Sequence, residues 1–225
     1  MTAEVSSPPP QGGGMSFPKT LVNIPGRPSA DIPVFESRVP KPEEVAYLPA
    51  HLLKTVIKLG GELKDLGAKW AIWGDAGEII KGVHVKTDHL EILTTKDGCE
   101  EICKLLASYV TLPPAEVEKK LPREADVDGK MLPVLIRSHY AELTINTVVV
   151  QVYGDEQIKV AEWDWGDPLD FTPDYSYIVD KKVPIVPLRF KEELDLGLGW
   201  IDRLELIAAA LASGQHHLAE GGLRH

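Results

Sequence analysis

Apolar residues first recur at helical spacing between positions 49 and 66. Leu52, Leu53, Val56, Ile57, Leu63 and Leu66 form one stripe, Pro49 suits a first helical turn, and Gly67 suits a stop. The pattern then changes period. Lys69-Trp70-Ala71-Ile72-Trp73 reads as a short strand ending at Gly74, and Val83 to Thr94 reads as a second strand. Asp97 and Glu100 form a capping-box-like pair that opens a helix with Ile102, Leu105, Leu106 and Tyr109 on one face. Thr111-Leu112-Pro113-Pro114 ends it, and the charged stretch 115–130 fits a short helix and a loop. Strand-like runs follow at Leu132 to Ile136, Glu142 to Ile145, Val148 to Tyr153 and Gln157 to Trp163, with turns at Asn146-Thr147 and Gly154-Asp155. Pro184 to Leu188 is a short extended stretch. Two helices come last, from about Arg189 to Leu196 and from about Trp200 to Ser213. Ile201, Leu204, Ile207, Ala208 and Leu211 form the stripe of the second, and Gly214 ends it.

This order lacks the regular alternation of a doubly wound sheet. It predicts an α+β fold: a mixed β-sheet with flanking helices, a helical C-terminal part and a proline-rich N-terminal arm. The expected divisions are an arm over 1–48, an α/β domain over 49–188, and C-terminal helices with a loose tail over 189–225. Ten of the 18 prolines fall between Pro8 and Pro49, and each fixes φ and removes a donor. The low-complexity run 6–14 predicts disorder, and Met15, just after it, is a second candidate start of translation.

Composition narrows the class of partner. The 225 residues carry a net charge of −10, which excludes a broad basic face for a long nucleic-acid duplex but allows a local pocket for one triphosphate. No run reaches the roughly 18 apolar residues of a membrane span, and no basic region precedes an apolar stretch at the N-terminus. A cytoplasmic protein is expected. The two cysteines, Cys99 and Cys103, lie one helical turn apart and read as small apolar filling. There is no Walker loop, no GxGxxG and no nucleophile elbow.

Candidate chemistry gathers in Trp73-Gly74-Asp75-Ala76-Gly77-Glu78 and Val85-Lys86-Thr87-Asp88-His89-Leu90-Glu91-Ile92-Leu93-Thr94. One strand ends in a glycine turn and the next carries acids. A glycine turn lets backbone N–H groups approach a triphosphate. Acids on the neighbouring strand can hold Mg²⁺ or Mn²⁺ between phosphates and an attacking oxygen. Residues at i and i+2 of a strand share a face, which fits His89 with Glu91 but not Asp88 with Glu91. Mg²⁺ prefers oxygen ligands, so a His–Glu pair suits softer ions better.

The stretch resembles the nucleotidyltransferase-fold superfamily in its small, antibiotic-adenylyltransferase-like and minimal forms. That pattern runs hydrophobic-Gly-Gly/Ser, a short gap, then Asp-x-Asp on a strand. The segment from Val186 to Glu193, followed by Leu198 to Arg203, resembles uncharacterised archaeal members. The resemblance implies transfer of a nucleoside monophosphate from a nucleoside triphosphate to a hydroxyl acceptor, with a divalent metal. On this chain it would place Gly74 and Asp75 at the phosphates, with Lys86 or Arg137 neutralising their charge. Asp88, His89 and Glu91 would stand at the metal, with Glu91 also catalytic. A third acid is expected near Gln151, which carries no charge, and Asp155 just beyond is the substitute.

Two classes of function therefore compete. One is an active nucleotidyltransferase. The other is a degraded module of the same fold that senses a ligand or binds a partner, with the arm docking on another protein or on a second copy of the chain. The missing Asp-x-Asp and the acid at position 75 point to the second. The strand-glycine-strand-acid order points to the first.

Overall fold

The structure, a computed structural model, describes residues 47–212. The proline-rich arm up to position 46, Met15, Gly214 and the tail lie outside the described residues.

The first helix, α1 (Ala50–Glu62), starts after Pro49 and buries Leu52, Val56 and Leu59 at helical spacing. Each such burial is worth about 1.5–3 kcal/mol. Strand β1 (Trp70–Trp73) follows, then a short helix α2 (Gly74–Ile80), strand β2 (Leu90–Thr94) and helix α3 (Lys96–Leu105). The chain continues with β3 (Val110–Lys120), a small hairpin β4 (Ala125–Val127) and β5 (Lys130–Leu132), and a long hairpin β6 (Val134–Ile145) and β7 (Val148–Val160). Strands β8 (Asp174–Ile178) and β9 (Lys181–Ile185) and helices α4 (Leu188–Gly197) and α5 (Ile201–Ala212) complete it.

Seven strands form one sheet in the order β3-β6-β7-β2-β1-β9-β8. Strand β2 is antiparallel to β1 and parallel to β7, and β1 is parallel to β9, so the sheet is mixed as expected. On one face Leu90 and Ile92 of β2 join Val150 and Val152 of β7 in a core with α1 and α3. On the other, Leu93 and Tyr153 join Trp73, Phe171 and Leu194 of α4. Alternation along each strand sends neighbouring residues to these opposite layers. Among the described residues no helix is long and apolar enough to cross a membrane.

Several local expectations needed correction. The second strand starts at Leu90, not Val83, because 83–89 form an irregular approach to it. The α3 cap is Thr95, whose side chain accepts from Gly98 N at 3.0 Å; Asp97 sits in the first turn, and Leu105 is exposed. The charged stretch after Pro114 continues β3, an edge strand whose Pro113 and Pro114 sit where the pairing to β6 shifts register. Prolines and charges are tolerated there because one side of an edge strand needs no ladder partner. Gly154-Asp155 is a bulge inside β7 rather than a turn. In α5 only Ile207 and Ala210 are buried, and Ile201 faces solvent.

Candidate functional site

Strand β1 ends at Trp73, directly opposite Glu91 of β2. Gly74 then turns the chain into α2 with φ +60°, a left-handed backbone that favours glycine. The Glu91 carboxylate lies against this turn so closely that a Cβ built on Gly74 would overlap its Oε2 and stand 2.7 Å from its Cδ. The acid and the glycine turn therefore share one corner of the sheet.

Asp75, Asp88 and Glu91 at this corner have each found a counter-charge in the chain. His89 Nδ1 is 2.9 Å from Asp88 Oδ1, and its Nε2 is 3.9 Å from Glu91 Oε1. Glu91, with Asp88 adding to it, pushes His89 up to about 9 against the cost of its partial burial. At neutral pH the residue is thus an imidazolium between two carboxylates. Asp75, the acid at the second place of the turn, is gripped by Arg203 of α5, whose Nη2 also lies 2.9 Å from Glu78 Oε2. Lys191 of α4 lies over Trp73 at 5.6 Å and holds Asp195 Oδ1 at 2.6 Å. The hollow lined by Trp73, Gly74, Gly77, Glu78, Leu188 and Lys191 measures about 10 Å³, room for about one water.

The other expected residues divide. Gln151 is the β7 neighbour of Glu91, and its Oε1 accepts from Tyr153 Oη at 2.7 Å. Asp155 adopts a left-handed backbone at the bulge, φ +48°. The buried acid of β7 on this side of the sheet is the next one, Glu156, which is 6% exposed and shares the layer of Ile158 and Val160. Burial, and then the Glu91 charge, push it up to about 8, with Lys119 and Lys191 opposing. The bulge explains why the sequence missed it, since one extra residue reverses the faces beyond Gly154. Lys86 is exposed on the approach to β2. Arg137 is not at this corner. It alternates with Ile136 onto the opposite face, donates from Nε and Nη2 to Gln157 Oε1 at 3.1 and 2.7 Å, and stacks on Trp165.

The fold can now be placed among solved structures. The chain matches a candidate nucleotidyltransferase from Thermotoga maritima with a TM-score of 0.55 and 22% identity, over 73% of this chain and 95% of that one. The chain has a nucleotidyltransferase-like fold. A nucleotidyltransferase-like antigenic protein from Paracoccidioides brasiliensis matches at a TM-score of 0.36 and 15% identity, over 71% of this chain and 77% of that one. No protein-family model and no curated protein matches the chain.

The divalent metal expected from the sequence resemblance can be tested against these donors. Both His89 nitrogens face carboxylates and hold protons, so neither offers a lone pair. Among the described residues no three His, Cys, Asp or Glu side chains are grouped to hold an ion. The donor set does not fit Mg²⁺, which asks for oxygen ligands in near-octahedral order.

His89 gives a pH signature. Its raised value means that its stabilisation is complete below about 6.5 and is lost as pH rises through about 9. Titration of the ring by NMR should give a midpoint well above 6.5. Glu91→Gln should bring it down by removing the larger contribution.

Proposed function

We infer that this chain is a nucleotidyltransferase-fold module that no longer transfers nucleotides and serves instead as a ligand-sensing or partner-binding scaffold. One observation carries the reading: at the corner where the fold brings acids to a glycine turn, His89 neutralises Glu91 and Arg203 neutralises Asp75. A divalent ion or a triphosphate would have to displace an internal ion pair to enter. The partner would be a protein or a second copy rather than an extended nucleic acid, since the net charge is −10. A cytoplasmic location follows from composition and is part of the same proposal.

Calorimetry of the full chain with ATP, in Mg²⁺ and again in Mn²⁺, should show no binding at millimolar nucleotide. Saturable binding that Glu91→Ala abolishes would overturn the scaffold reading. In gel filtration with light scattering, the assembly state should be the same for Glu91→Ala as for the parent protein.

A second reading, a working transferase that acts on a nucleoside triphosphate and a hydroxyl acceptor, is favoured by the contact of Glu91 with the Gly74 turn. It places Glu91 and Glu156 as the acids, with Asp155 or Lys86 assisting at the rim. It requires His89 to lose its proton and swing clear, so such activity would rise toward pH 9.

A further inference from the structure

Helix α5 is thinly packed. Ile207 and Ala210 are its buried residues, and they meet Val83 and Leu188 in a small apolar cluster of their own. The rest of its attachment is polar. Asp202 pairs with Arg123 at the surface, while Arg203 reaches α2, pairing with Asp75 and approaching Glu78 Oε2 at 2.9 Å. From α4, Lys191 holds Asp195 and also faces Glu78. Asp75 with Arg203 and Asp195 with Lys191 balance two against two. Glu78 is the extra carboxyl. It is 3% exposed, and its Oε1 has no hydrogen-bond partner. Glu156 of β7 is another buried acid, whose ionisation the Lys191 charge favours.

We propose that Glu78 is the trigger of a proton-controlled latch: as a neutral acid it lets α4 and α5 close beside the Gly74 turn, and as a carboxylate it loosens them. An ionised Glu78 would put a third negative charge among two cations already spoken for, in a place with little room for water. Burial pushes its carboxyl up to about 7, with Lys191 and Arg203 opposing and Asp195 adding. A raised carboxyl favours the closed form at low pH. That contribution is complete below about 4.5 and fades as pH rises through about 7. Opening would part Trp73 from Phe190, whose rings meet edge to face at 6.1 Å, and would uncover the corner that holds Gly74. The latch does not depend on whether that corner binds a nucleotide or a partner.

Hydrogen exchange on the full chain tests it, at pH 6 and pH 8.5, corrected for the intrinsic pH dependence of amide exchange. Helix α1, whose buried residues carry no titratable side chain, is the internal reference. Protection over residues 188–212 should fall about tenfold relative to α1 at the higher pH. Glu78→Gln should abolish the fall, and Arg203→Gln should leave α5 weakly protected at both values. Should Glu78→Gln not fold, Asp195→Asn is the second variant: by freeing Lys191 for Glu78 it should shrink the fall. Protection that does not change with pH in the parent protein, or a fall that survives Glu78→Gln or is unchanged in Asp195→Asn, would overturn the proposal.

Discussion

Gly74→Ala should destabilise the fold by about 2–4 kcal/mol, from two sources that can be separated. An alanine at φ +60° carries a left-handed penalty of about 1–2 kcal/mol. Its Cβ also overlaps the Glu91 carboxylate, which must rotate out of the corner and leave His89, at a further cost of about 1–2 kcal/mol. In a Glu91→Ala background only the backbone part remains, so the same change should cost about half as much. Urea unfolding of the four proteins of this cycle measures the difference. An equal cost in both backgrounds would mean that the carboxylate does not rest on the turn, and both readings of the site would lose their footing.

Gly199→Ala should be at least as severe, at about 2–4 kcal/mol or roughly 5–15 °C in Tm. Gly199 sits between α4 and α5 with φ +69°. A Cβ there would run into the backbone carbonyl oxygen of Asp126 and come within 3.0 Å of its Cβ. A carboxylate can swing away, but this carbonyl cannot: Asp126 N donates to Leu198 O at 3.0 Å, and the hairpin is fixed in place by that bond. No partner substitution should rescue Gly199→Ala, in contrast to Gly74→Ala. Thermal melts of the two variants, alone and with Glu91→Ala, separate a side-chain clash from a backbone one.

Wherever local pattern and tertiary environment agree, the elements were legible. Residues Leu52, Leu53, Val56 and Ile57 announce α1, and the β-branched runs on either side of Asn146-Thr147 announce the long hairpin, whose two turn residues both adopt positive φ. Periodicity failed where an edge or a bulge changed the rules. Strand β3 carries prolines and charges because its outer side faces solvent, so it reads as a helix stop followed by a short helix and a loop. Strand β8, Asp174-Tyr175-Ser176-Tyr177-Ile178, is short and outermost, and no pattern singled it out. At the site, the placing of Glu91 beside Gly74 was readable from alternation and chain order alone. Glu156 was hidden by the bulge at Asp155, and Arg137 was misplaced because face parity across several strands cannot be counted without knowing where bulges fall. Arg203 and Lys191 lie more than a hundred positions from the turn they neutralise, and a long-range counter-charge of this kind leaves no local signature.

The strand order also has a consequence for how the chain reaches its native state. Strand β1 is completed on one side by β2 soon after it in sequence, but its other side is completed by β9, through the pairing of Ile72 with Ile185. During synthesis that flank stays bare until most of the polypeptide has emerged, and closing so long a loop is entropically slow. A chain that has folded its first strands before β9 is made would present a five-stranded sheet with an apolar rim, Trp-Ala-Ile-Trp, open to strangers. A chain truncated before β8 should aggregate through that rim rather than fold into a smaller domain.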